Sequence, residues 1–109
     1  MVKPDAALDL TFAALADPTR RAIIARLAGG ERTVGDLAAP LPMSLAAVSK
    51  HIAVLERAGL VTRRRVSRVR VCALVAEPLD EAAGWIEDHR RFWTARLDSL
   101  EHYLTSEQP

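Results

Sequence analysis

The chain has 109 residues, half of them hydrophobic and 27% charged, with a formal net charge of +1. That length suits one folded domain, expected to fill residues 1–109, and the composition excludes a disordered chain. A single cysteine excludes an internal disulfide and a Cys-rich zinc site, and no apolar run reaches the roughly 18–20 residues of a membrane span. With no secretory pattern at residues 1–5, a cytoplasmic setting is expected.

Residues 6–16 carry Leu8, Phe12 and Leu15 at helical spacing, which predicts a first helix with that stripe as its apolar face. Asp17-Pro18 opens a second helix over 18–28, because Asp is a favoured N-cap and Pro fits the first helical position. Ile23, Ile24 and Leu27 are its apolar positions, and Gly29-Gly30 ends it. Thr33-Val34-Gly35-Asp36 has capping-box spacing and predicts a short third helix over 33–39. Pro40-Leu41-Pro42 stops it.

Ser44 is placed to cap a fourth helix that ends near Ala58-Gly59. Val48, Ile52 and Leu55 form its apolar face, with Ala46, Lys50, Ala53 and Arg57 opposite. Residues 60–65 and 69–75 are short, β-branched and Arg-rich, and predict a hairpin joined by Val66-Ser67-Arg68. The last helix is expected over 79–104. There Leu79, Ala83, Ile86, Arg90, Trp93, Leu97, Leu100 and Leu104 recur alternately four and three apart, a heptad-like seam with one polar member. The predicted architecture is mainly α with one small hairpin: a helix-turn-helix at 33–58, a wing at 60–76 and a terminal dimerisation helix.

Net charge alone argues against a nucleic-acid partner, but its distribution does not. Residues 44–76 hold seven basic side chains and one acid, for +6, whereas residues 77–109 hold three bases and eight acids, for −5. An uncompensated Arg cluster in one third of a small domain is the footprint of a phosphate contact; the bland alternative is a solvated strand face. Combined with the helix pattern, it describes a winged helix-turn-helix whose fourth helix enters the major groove of double-stranded DNA. Ser44 would offer a phosphate a helix N-terminus. The small Ala46 and Ala47 would let the helix approach the groove floor and meet thymine methyls. Ser49 and Lys50 would add polar and charged contacts, and His51 is either a phosphate donor or a helix-packing residue. Arg63, Arg64, Arg65, Arg68 and Arg70 would contact phosphates or the minor groove.

Three segments together resemble the ArsR family of winged helix-turn-helix regulators. They are Ala14-Leu15-Ala16-Asp17-Pro18-Thr19-Arg20-Arg21, Thr33-Val34-Gly35-Asp36-Leu37-Ala38, and the stretch from Met43-Ser44 through Val48-Ser49-Lys50-His51-Ile52 to Leu55-Glu56-Arg57-Ala58-Gly59-Leu60-Val61. The resemblance spans residues 8–104 and implies a homodimeric repressor that pairs through its first and last helices. The predicted interface is Leu8, Phe12, Leu15, Ile86, Trp93, Leu97, Leu100 and Leu104, with a pseudo-palindromic operator as the DNA partner.

The segment Arg91-Phe92-Trp93 through Arg96-Leu97-Asp98-Ser99-Leu100 to Tyr103-Leu104 is similar to a branch without the usual metal sites. Metal sensors of the family carry a cysteine pair in the third helix, where this chain has Thr-Val-Gly-Asp-Leu-Ala-Ala. No metal and no cofactor are expected, and any small-molecule effector is unknown. The wing tip also departs from the family, having no glycine.

Other readings stand beside this one. An intersubunit metal site from His89, Asp98 or His102, a thiol switch at Cys72, and an interaction module without DNA binding are the alternatives. Trp85, Phe92, Trp93 and Tyr103 are read as packing residues before an effector pocket. No phosphate loop, nucleophile elbow or His-Glu-x-x-His helix points to an enzyme.

Overall fold

A computed structural model describes residues 5–106. The order is α1 (Ala6–Leu15), α2 (Pro18–Leu27), β1 (Arg32–Thr33), α3 (Val34–Ala38), α4 (Leu45–Arg57), β2 (Val61–Val66), β3 (Val69–Leu74) and α5 (Glu77–Ser106). Local chemistry sets the boundaries. Asp5, Asp17, Thr33 and Ser44 each accept a bond from a backbone N–H in the first turn of the helix that follows. At α3 the expected capping box closes, with Asp36 accepting in return from the Thr33 N–H at 3.3 Å. The end of α4 is a Schellman motif, in which Leu60 N–H donates to Leu55 and Gly59 N–H to Glu56, both at 2.9 Å. Gly59 supplies the left-handed φ of +77° that this turn needs.

Ala14, Ile23, Leu27, Leu37, Val48, Ile52, Leu55, Leu60, Val61 and Cys72 form the core. Thus α2, α3, α4 and the base of the sheet bury one face each, and α4 is fixed along its whole length by Val48, Ile52 and Leu55.

The structure adds to or adjusts the expected elements in four places. In α1 the buried positions are Thr11 and Ala14, while Leu8, Phe12 and Leu15 are only half-buried. Small side chains allow closer helix approach there, and the Thr11 hydroxyl is satisfied by the Ala7 carbonyl at 3.1 Å. Second, β1 was not predicted: two residues are too short to alternate. It nevertheless pairs antiparallel with β3, giving the strand order β1-β3-β2. Third, Val66 belongs to β2 and pairs with Val69, so the hairpin turn is Ser67-Arg68 alone. Ser67 adopts the left-handed φ of +58° that a glycine would otherwise fill. Fourth, α5 extends two residues beyond the predicted limits at each end, and Ala82, rather than the seam residue Ala83, is its buried residue.

Thirty residues make α5 a rod of about 45 Å. Only its first turns touch the body, where Leu79 packs on the core and Trp85 meets Phe12 of α1 edge-on at 5.8 Å. The chain is consequently elongated, 74 × 31 × 21 Å with a radius of gyration of 19.6 Å; a compact chain of this size has about 13 Å. No described helix is long and apolar enough to cross a membrane.

Candidate nucleic-acid interface

The short α3, the turn at residues 39–44 and α4 form a helix-turn-helix, and β2–β3 stands beside it as a wing. Between them lies an open groove of about 810 Å³, lined by Thr33, Val34 and Gly35, by Leu45, Ala46 and Ser49, and by Arg63, Arg68, Val69 and Arg70. The buried face of α4 turns Ala46 and Lys50 outward. Ala47 is half-buried. Ser44 spends its oxygen as the N-cap, accepting from Ala47 N–H at 3.1 Å, so its hydroxyl proton is left for another acceptor. Leu45, Thr33 and Gly35 were missed as groove residues, because sequence spacing does not show how α3 approaches the wing.

The five wing arginines separate by strand parity. Arg63, Arg65, Cys72 and Arg70 share one face, since Arg63 pairs with Cys72 and Arg65 with Arg70 in the ladder. Arg65 and Arg70 thus put like charges directly opposite one another, an arrangement that costs stability unless an anion lies between them. Arg65 Nε donates to the Ser67 carbonyl at 3.2 Å. The side chains of Arg68 and Arg70 make no ion pair or hydrogen bond among the described residues, although Arg70 stands opposite Arg65 in the ladder.

Two of the five are ion-paired. Arg64, on the other face, forms a two-pronged pair with Glu31 at 2.8 and 3.0 Å. That contact holds the Glu31 carboxyl below its ordinary pKa and raises the Arg64 guanidinium above its own. Arg63 is turned inward, its side chain only 11% exposed. Its Nε donates to Glu56 at 3.0 Å and its Nη1 to Ser49 Oγ at 2.9 Å. Its fork ties the wing to α4, and Arg63 also lines the groove. Glu56 was not singled out from sequence, although it is the one acid among the seven bases of residues 44–76.

His51 lies at the junction of α1, α2 and α4. Its Nδ1 is 3.2 Å from Arg20 Nη1 and 3.9 Å from Asp17. Arginine only donates, so Nδ1 is the acceptor and the proton of the neutral ring sits on Nε2. Arg20 in turn donates to the Ala14 carbonyl at 2.7 Å. The helix-packing reading of His51 is the one this geometry favours. Asp17 is held below its ordinary pKa chiefly by the Arg20 N–H, with the Arg20 charge adding to it.

The residues of the other readings lie in three places within one chain. Cys72 is buried, and desolvation pushes its thiol up, the opposite of an activated thiolate. His89 stacks on Trp85 at 4.0 Å and donates through Nδ1 to the Trp85 carbonyl at 2.8 Å. Asp98 and His102 line a shallow depression with Glu101 and Thr105. Among the described residues no three His, Cys, Asp or Glu side chains are grouped to hold a metal ion. Beyond its first turns, α5 exposes Ile86, Phe92, Trp93, Leu97, Leu100, Tyr103 and Leu104, Trp93 most of all at 62%.

Fold and groove together define a winged helix-turn-helix regulator of DNA. Residues 15–64 match a family model described as a helix-turn-helix domain. The chain is 46% identical over 99 residues to the HTH-type transcriptional regulator Rv2034 of Mycobacterium tuberculosis, covering 91% of this chain and 90% of that one. It is 32% identical over 75 residues to the transcriptional repressor SdpR of Bacillus subtilis, covering 69% and 83%. A crystal structure of an ArsR family transcriptional regulator superposes with a TM-score of 0.79 at 39% identity, over 86% of this chain and 97% of the other. An ArsR-like transcriptional regulator from Rhodococcus sp. RHA1 gives 0.75 at 32%, over 90% and 92%. The chain belongs to the ArsR family of transcriptional regulators; it is a DNA-binding protein and not an enzyme.

Proposed function

We propose that the chain works as a homodimeric, metal-independent repressor that covers a pseudo-palindromic operator and so excludes the transcription machinery. The carrying observation is that one chain displays both an Arg-lined groove beside α4 and an unpartnered apolar seam along α5. The seam, with Leu8 and Phe12 of α1 near its start, would join two protomers. The two α4 helices would then enter successive major grooves, roughly 34–36 Å apart. Residues 1–109 would act as one domain, with Leu15 serving the core as much as the interface. Ser44, Ala46, Ala47, Ser49 and Lys50 would lie nearest the bases; Arg65, Arg68 and Arg70 would meet phosphates, and Arg64 would join them by leaving Glu31. The name of the B. subtilis relative, a repressor, supports the direction of regulation. Residues 33–39 hold no cysteine where metal sensors of the family carry a pair, which supports metal independence.

Sedimentation and gel-shift titration test this reading together. The wild type should run as a dimer at micromolar concentration, and Leu97→Glu should run as a monomer with operator binding lost. Arg68→Ala should reduce the slope of log K against log salt by about one. EDTA should leave binding unchanged. A monomeric wild type, or binding indifferent to salt, overturns the reading.

A further inference from the structure

We propose that Arg63 is a positioning residue for DNA reading: it fixes Ser49 as a hydrogen-bond donor aimed at an acceptor on a base edge. This rests on the DNA-reading role given above to the groove and α4. The observation is the fork that joins wing to helix. Arg63 Nε bonds Glu56 and Nη1 bonds Ser49 Oγ, with the Arg63 side chain only 11% exposed at the groove's edge. Ser49 and Glu56 are seven residues apart, two turns along one side of α4, so a single planar group holds both.

The consequence for Ser49 follows from the chemistry of a hydroxyl, which has one proton and two lone pairs. Arg63 occupies one lone pair, and its positive charge makes the oxygen a poorer acceptor of any second donor. The same charge polarises the O–H bond and strengthens it as a donor. Among the described residues that proton has no acceptor, and Ser49 lines the groove beside Ala46, Arg68 and Arg70. In the major groove the matching partners are purine N7, guanine O6 and thymine O4, whereas cytosine N4 presents a donor and is refused. Arg63 would thus contribute to sequence preference without touching DNA. Because it spans β2 and α4, it would also hold the wing at a set distance from the reading helix.

The test uses the full chain and two probes: a duplex enriched by the wild type from a random library, and a shuffled duplex of equal length. Ser49→Ala and Arg63→Ala should each lower the ratio of the two affinities roughly tenfold. The combined variant should lose no more than either alone, since both act through one bond. Their salt slopes should equal that of the wild type, unlike Arg68→Ala. Replacing one purine per half-site by its 7-deaza analogue, or one thymine by its 4-thio analogue, should reproduce the loss in the wild type and add nothing in Ser49→Ala. Arg63→Ala leaves Glu56 unpaired, so the charge-neutral pair Arg63→Gln with Glu56→Gln serves as the second variant and should show the same loss. Additive losses, a salt slope reduced by about one in Arg63→Ala, or an unchanged ratio overturn the assignment while leaving DNA binding itself intact. Failure of the wild type to bind either duplex at low salt would instead remove the reading on which it rests.

Discussion

At the residue scale, single groups set where each helix begins and ends. Gly59 is the clearest case, because its left-handed φ is required by the Schellman turn while a Cβ there would meet only Pro78 at an ordinary 3.7 Å. Gly59→Ala should therefore cost the conformational term alone, roughly 1–2 kcal/mol, read as a lower Tm at fixed protomer concentration. Acid acts on another set of residues. Asp17, Glu31 and Glu87 are all held below their ordinary pKa: Asp17 by the Arg20 N–H, Glu31 by Arg64 and Glu87 by Arg90. A carboxylate with a lowered folded pKa contributes stability that is complete above its unfolded value, near 4. That contribution disappears as pH falls through the lowered value. The Tm should accordingly be flat with respect to these groups from pH 7 to about 5 and fall below pH 4, with Asp17→Asn showing a shallower fall.

The inward turn of Arg63 was not legible at this scale, and the reason is physical. In sequence it is one of three consecutive arginines, and nothing local separates it from Arg64 or Arg65. Strand parity places it above Glu56, and parity counts only once the hairpin register is known.

At the element scale, legibility followed how much of an element's definition is local. The starts of α2 and α4 were readable because Asp17-Pro18 and Ser44 act within one turn, and the end of α4 because Ala58-Gly59 does. The face of α1 was not: Leu8, Phe12 and Leu15 suggested the stripe, but contact with α2, α4 and α5 selected Thr11 and Ala14. The two residues of β1 owe their strand conformation to β3 and had no signal of their own. The groove beside α4 was legible in its Ala46, Ser49 and Arg70 but not in the residues α3 adds. For α5, the exposed seam gives a direct measurement. Trp93→Ala should raise the dimer Kd about thirtyfold, near 2 kcal/mol, in sedimentation equilibrium. An unchanged Kd would place the interface elsewhere.

At the scale of the whole molecule, charge and shape are divided between two ends. The groove and wing hold the basic segment, while the 30-residue α5 carries the acidic one and projects from the body. Such a layout points the reading surface toward a polyanion and the rod away from it. If two protomers join through the rod, their α4 helices are at a fixed separation and DNA must match it. Inserting about half a helical turn between the half-sites of an enriched duplex should reduce binding to that of one half-site, and a full turn should recover part of it. Equal affinity at every spacing would contradict a rigid pair.

If the proposed dimer is the form that holds DNA, the exposed seam on α5 also makes regulation depend on supply. A chain that shows Trp93, Leu97 and Leu104 to water would bury them against a second copy, and the active species would then form by mass action. Well below the dimer Kd, the amount of dimer follows the square of total chain, and halving synthesis cuts it about fourfold. Repression would then switch off more sharply on dilution by cell growth than a monomeric regulator of the same affinity allows.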